Sequence, residues 1–175
     1  MAYYTALQTA WNGAPQPPAG VTGTALTGGM TTAQKLAAVN AWITAGPNVN
    51  VDVSAVVGKL MLTQAYFPLL AFSQGAGTGN PTHDAALLSA KTLMTLISIP
   101  NAPVFQMSDA ATYATVRGMM DAILAQESAA PGTAGFTQAV HDALLALCAT
   151  TAPWWQANSY PRAFDLGDVA AAGLS

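Results

Sequence analysis

Apolar residues return every three or four positions along most of this chain, the spacing of one face of an α-helix. Between 3 and 12, Tyr3, Leu7 and Ala10 or Trp11 share such a face, and the pattern stops at Asn12-Gly13. No period survives in Gly13 to Met30, a stretch rich in Gly, Pro, Thr and Ala, where Pro15, Pro17 and Pro18 favour extended backbone. The helical period resumes at Thr31 or Thr32, either of which can cap a helix carrying Leu36, Val39 and Ile43 and ending at Gly46-Pro47. Val49, Val51 and Val53 alternate with Asn50 and Asp52, the one strand-like signal, although Asp52 or Ser54 can equally cap the next helix with Val53 as a hydrophobic staple. That helix holds Val56, Val57, Leu60 and Met61, and Pro68 kinks it or begins another.

After a turn-rich break at Gly75 to Asn80, Pro81 to Ser98 sets Leu87, Leu88, Met94 and Ile97 on a wide arc, as in a central, mostly buried helix. Ile99 to Pro103 separates it from a run capped at Ser108, with Tyr113, Val116, Met120, Ile123 and Leu124 in register. Ser128 to Gly135 reads as a loop, and Thr137 starts a helix with Val140, Leu144, Leu147 and Cys148 inward. Pro153 stands at a helix start before Trp154-Trp155, and Asp165 caps a last short helix ending at Gly173. The pattern predicts an all-α fold: a single-domain bundle of about seven or eight helices over residues 31–175. A short helix and an extended Pro/Gly-rich N-terminal arm precede it over 1–30. A stretch of this kind is either a mobile linker or an arm that orders against another subunit. No internal repeat is visible.

Composition narrows the function. The chain has 175 residues, 52% of them hydrophobic and only 7% charged, with a net charge of −3. Its five Lys/Arg and eight Asp/Glu fall far short of the charged share of about 25% usual in globular domains. That excludes disorder, which pairs low hydrophobicity with high net charge. It also disfavours specific nucleic-acid binding, since no Lys/Arg cluster exists to neutralise phosphates. One cysteine rules out a disulfide framework or a thiolate zinc site. Met1-Ala2-Tyr3-Tyr4 does not begin like a secretory leader. The most apolar run, Leu60 to Phe72, is broken by Gln64 and Pro68 and falls short of the roughly 20 residues of a membrane span. A weakly charged surface costs less to desolvate, which suits burial against neighbouring subunits.

Candidate chemistry is sparse. Gly75-Ala76-Gly77-Thr78-Gly79-Asn80 places Asn80 where a dinucleotide loop needs its third glycine, and no acidic residue follows at ribose distance. There are two His-Asp pairs, His83-Asp84 and His141-Asp142, and His83, His141, Asp142 and Asp165 or Asp168 nominally supply ligands for an HD-type metal-dependent hydrolase. The simpler reading is carboxylates near helix starts, where the helix dipole favours them. His141 and Cys148 are seven residues apart on one helix, a rise of roughly 10 Å, too far for a thiolate–imidazole pair. Glu127 and Asp121 form no evident acid–base pair. No catalytic residue, cofactor or metal site is expected. Adjacent Trp154 and Trp155 project about 100° apart on a helix, so one faces inward while the other is covered by the C-terminal segment or anchors a partner. Candidate interface residues are Tyr3, Tyr4, Trp11, Pro17, Pro18, Trp154 and Trp155.

Two segments carry a resemblance. Thr31-Thr32-Ala33-Gln34-Lys35-Leu36-Ala37-Ala38-Val39-Asn40-Ala41-Trp42, and Pro153-Trp154-Trp155-Gln156-Ala157-Asn158 followed by Asp168-Val169-Ala170-Ala171-Ala172-Gly173, resemble stretches that recur in an uncharacterised family of tailed-bacteriophage proteins. The resemblance implies a phage setting and a non-enzymatic virion component: a head–tail joining, tail or capsid-associated protein. Its partners would be copies of itself and other virion proteins, with no membrane involved, and it would be assembled in the host cytoplasm. The alternatives are a soluble phage-encoded binding module acting inside the host and the HD-type hydrolase.

Overall fold

A computed structural model describes residues 4–13, 17–99 and 104–174. In chain order it contains α1 (Thr5–Asn12), β1 (Val21–Thr22), α2 (Thr32–Asn40), β2 (Ile43–Ala45), β3 (Val51–Asp52), α3 (Val53–Leu62) and α4 (Tyr66–Ser73). There follow α5 (Pro81–Ser98), β4 (Val104–Phe105), α6 (Ala110–Ala129), α7 (Gln138–Cys148), β5 (Thr151–Pro153), α8 (Trp154–Ala157) and α9 (Leu166–Ala171). The chain is mostly helical, with nine helices among the described residues and five short strands. The strands are an addition to the all-α expectation. They form a three-stranded antiparallel sheet in the order β1-β2-β5 and a β3–β4 pair. Contacts divide the chain into two compact units, residues 1–47 with 150–175, and residues 48–149.

The first unit is built from both ends of the chain. Thr31 caps α2 in a reciprocal capping box with Gln34, as its sequence predicts. The helix ends at Asn40, earlier than the periodicity suggests. Ile43 is therefore not on its stripe but in β2, where it pairs with Thr22 on one side and Pro153 on the other. At the centre, Trp42 meets Trp154 edge to face, ring centroids 5.6 Å apart, and Trp154 in turn lies against Phe164. The Trp42 indole N–H donates to Thr24 O at 2.8 Å, and a Cβ added to Gly23 would fall 2.1 Å from Trp42 Cδ1. Gly23 and Thr24 thus lie against Trp42, with Leu26 buried in the same cluster. Asn40 joins α2 to the C-terminal segment through a reciprocal pair, its Nδ2 donating to Phe164 O and its Oδ1 accepting from Phe164 N. Asp165 caps α9 in a second capping box with Asp168, and Gly173 at φ +69° ends it.

The second unit has its own apolar core. Antiparallel β3 and β4 pair Val51 with Phe105, and α5 packs along both α4 and α6, while α7 packs on α3 and α6. Leu60, Leu69, Leu93, Ile123, Phe136 and Cys148 are among its fully enclosed side chains. The apolar run over 60–72 breaks at Thr63–Ala65, where Gln64 takes φ +58°, and α4 leaves α3 at 105°. Pro68 therefore stands in the first turn of a new helix, which a proline tolerates. Asn80 caps α5 ahead of Pro81, and Thr137 caps α7. The cap of α6 is Asp109 rather than Ser108. Ser108 instead donates from both its backbone N–H and its hydroxyl to Asn50 Oδ1. No single helix among the described residues is long and apolar enough to cross a membrane.

Candidate functional site

Tyr3 lies outside the described residues. The other six candidate interface residues all fall in the first unit. Trp11 and Trp154 are buried in its core, and the Lys35 ammonium sits 5.4 Å from the Trp11 ring centroid. Trp155 is half-buried against the same cluster. The tryptophan pair therefore divides as its 100° offset requires. Tyr4 is half-buried, and its hydroxyl donates to Asp168 Oδ1 at 2.9 Å. Pro17 and Pro18 are half-buried, with Pro18 O accepting from Val21 N. The segments over 31–42 and 153–158 also meet here: Trp154 N donates to Trp42 O at 2.8 Å, beside the ring contact already described.

Asp168 is a meeting point of several polar contacts in this unit. It accepts from Tyr4, from Arg162 through both terminal nitrogens, and from Asp165 N. Burial acts to raise its pKa, but the Asp165 amide, the Tyr4 hydroxyl and Arg162 together outweigh it and hold the carboxyl below its ordinary value. Asp165 and Asp168, two nominal ligands of the hydrolase reading, are thus the reciprocal partners of a helix cap.

The histidines and the remaining carboxylates lie in the second unit. Asp84 accepts from Thr78 N at 2.8 Å and Gly79 N at 3.0 Å, with His83 Nδ1 3.2 Å away, and these contacts, led by Thr78, keep its pKa low. The glycine-rich loop before α5 therefore turns its amides onto a carboxylate of its own chain. Glu127 is enclosed by another loop: Oε1 accepts from Gly132 N at 2.6 Å, and Oε2 from Ala134 N and Gly135 N at 2.7 and 2.9 Å. The His141 side chain, 6% exposed, has Nε2 2.9 Å from Asp121 Oδ1 and Nδ1 3.0 Å from Asp142 Oδ1. Both ring nitrogens therefore face carboxylates of the chain itself. Among the described residues, no group of three or more His, Cys, Asp or Glu side chains is placed to hold a metal ion. Cys148 is a buried core residue whose thiol is pushed up by that burial. An apolar void of about 20 Å³ lies among Val51, Val56, Leu93, Phe105, Met107, Val116, Met120 and Leu144, room for about one water and too small for a ligand.

The exposed large apolar side chains of this unit are a different kind of feature. Leu62 is 82% exposed, Phe67 67% and Leu88 66%, and Met61 is also exposed. Phe67 is steadied by an edge-to-face contact with Tyr66 at 5.4 Å. The periodicity sets Leu88 on the arc of a mostly buried helix, and the structure corrects it. Leu88 is one 100° step beyond Leu87, which takes the buried position on α5. Leu62 lies two steps from the enclosed Leu60, on the far side of α3. The sequence marks these residues as apolar, but no local signal says that a neighbouring helix fails to cover them. No protein-family model, curated protein or solved structure matches the chain.

Proposed function

We propose that this chain is a non-enzymatic structural subunit of a tailed-bacteriophage virion, a head–tail joining, tail or capsid-associated protein that works by packing against copies of itself and other virion proteins. The observation that carries the reading is large, exposed apolar side chains on a chain with very few charges. Leu62, Phe67 and Leu88 stand in solvent, while only 7% of residues are charged. Such a surface gains from burial against another protein and loses little by desolvating charge. The Thr31–Trp42 and Pro153–Asn158 resemblance supplies the phage setting. The arm expected over 13–30 would present its exposed threonines, Thr22, Thr24 and Thr27, to a neighbour while Leu26 stays on its own core.

The test is quantitative mass spectrometry on purified particles of the phage carrying this gene. The protein should be present at a fixed ratio to the major capsid protein, low for a ring around the portal axis and high for a lattice-wide component. Its absence from particles, with the protein abundant in the infected cell, overturns the virion reading in favour of a binding module. A Leu62→Asp, Phe67→Ser double variant should keep the melting behaviour of the parent, because surface changes usually stay within about 0.5 kcal/mol. It should nevertheless enter particles poorly. Normal incorporation would remove these side chains from the interface.

A further inference from the structure

His141 sits almost wholly buried where α7 meets α6, with a carboxylate at each ring nitrogen. An ionised carboxylate only accepts hydrogen bonds, and a neutral imidazole owns a single N–H. Both contacts are therefore hydrogen bonds only when the ring carries two hydrogens. The two nitrogens differ in what else they can reach. Nε2 faces Asp121, which comes from the other helix and also lies 3.7 Å from Arg117 Nε. Nδ1 faces Asp142, but the Gln138 amide nitrogen stands 3.4 Å from it while donating to Asp142 Oδ1 at 2.7 Å. Asp142 itself is 63% exposed and has water at hand when released. The charged groups around the ring are Arg117 and Asp121 on α6 and Asp142 on α7, and α3, the other helix packed on α7, brings Lys59 as its one charged residue.

We propose that His141 is a proton-linked clasp: with two ring hydrogens it bridges Asp121 to Asp142, and with one it keeps Asp121, accepts from Gln138 at Nδ1 and gives up Asp142 to solvent. The α6–α7 link survives the change, whereas the surface beside α7 does not stay the same. Arg117 and the doubly protonated ring balance two carboxylates, and loss of one ring proton leaves the group with a net negative charge. The hydrogen bond from His141, and after it that from Gln138, holds the Asp142 carboxyl below its ordinary pKa.

Nitrogen-15 and carboxyl carbon-13 NMR of the full chain across a pH titration tests this without any substitution. Hydrogen should be present on both His141 nitrogens at the acid end and lost from Nδ1 alone as pH rises. The Asp142 carboxyl signal should move over that same interval, while Asp109, which caps α6 away from any histidine contact, should not. Retention of hydrogen on Nδ1 in the neutral ring overturns the proposal, as does an Asp142 signal that ignores the ring. Gln138→Ala, at an exposed position, should raise the share of neutral ring carrying hydrogen on Nδ1, because the substitute donor is gone. An unchanged share would remove Gln138 and the exchange with it.

Discussion

Glu127 is the only glutamate in the chain, and its carboxylate is spent on backbone rather than chemistry. Three amides of the 132–135 loop converge on it, two of them on one oxygen. The loop needs that anchor because it turns through positive φ at Gly132 and Gly135 and passes so close to Pro68 that a Cβ on Gly135 would lie 2.6 Å from Pro68 Cβ. Glu127→Ala leaves those donors without an acceptor, the buried Ala134 amide among them, at a cost of roughly 2–3 kcal/mol. Chemical denaturation should show the loss, and Glu127→Gln should recover part of it, since one oxygen still accepts. Gly23 makes a different residue-scale point. Any side chain there collides with the Trp42 ring, so Gly23→Ala should lower the melting temperature, with tryptophan fluorescence reporting the displaced ring. Neither role can be read from spacing. Asp121 and His141 are 20 residues apart on two helices, and only their packing brings them together.

At the scale of elements, the helix starts are legible because a cap is a local device. Thr31, Asn80 before Pro81, Thr137 and Asp165 each bond an amide two or three residues ahead, within the window that sequence reading uses. β3 falls within the alternation of Val49, Val51 and Val53, but the other short strands are illegible, for the opposite reason. β2 has three residues, too few for an alternating pattern, and its partner Thr151–Pro153 lies more than a hundred positions away. Ile43 consequently looks like one more residue at helical spacing. Caps made by carboxylates also carry a pH dependence. Asp109 is held below its ordinary pKa chiefly by the Thr112 amide, and Asp84 by the Thr78 amide. A lowered pKa means that the unfolded chain takes up the proton first as pH falls. This contribution is therefore complete above the ordinary aspartate value of about 4 and is lost below it. Unfolding midpoints should fall between about pH 5 and pH 3. Asp109→Asn, which keeps a capping acceptor without a titrating group, should flatten that fall, and an unchanged slope would mean that Asp109 takes no part in it.

For the whole molecule, the decisive fact is that the chain leaves one compact unit at 47–48 and returns to it at 149–150. Gly46-Pro47 reads locally as a helix stop, but the return depends on β5 pairing with β2, which no local pattern foretells. The ends of the 48–149 segment are already held together inside it, Val49 N donating to Cys148 O at 2.9 Å. Its apolar core draws on α3 to α7, all within the segment, and about a hundred residues is an ordinary size for a domain that folds alone. Residues 48–149 expressed by themselves should therefore be helical and unfold in one cooperative thermal transition. The reciprocal experiment removes them. Gly46 N donates to Thr150 O at 2.8 Å, so β2 and β5 are close enough to be joined by a hairpin loop of about two to five residues. The shortened chain should keep the Trp42–Trp154 contact, read as the near-ultraviolet tryptophan signal of the parent. A 48–149 fragment that melts without cooperativity would show that its core needs the rest of the chain. Loss of the tryptophan signal in the shortened chain would show the converse dependence, so the two measurements separate an inserted, self-sufficient domain from a single cooperative fold.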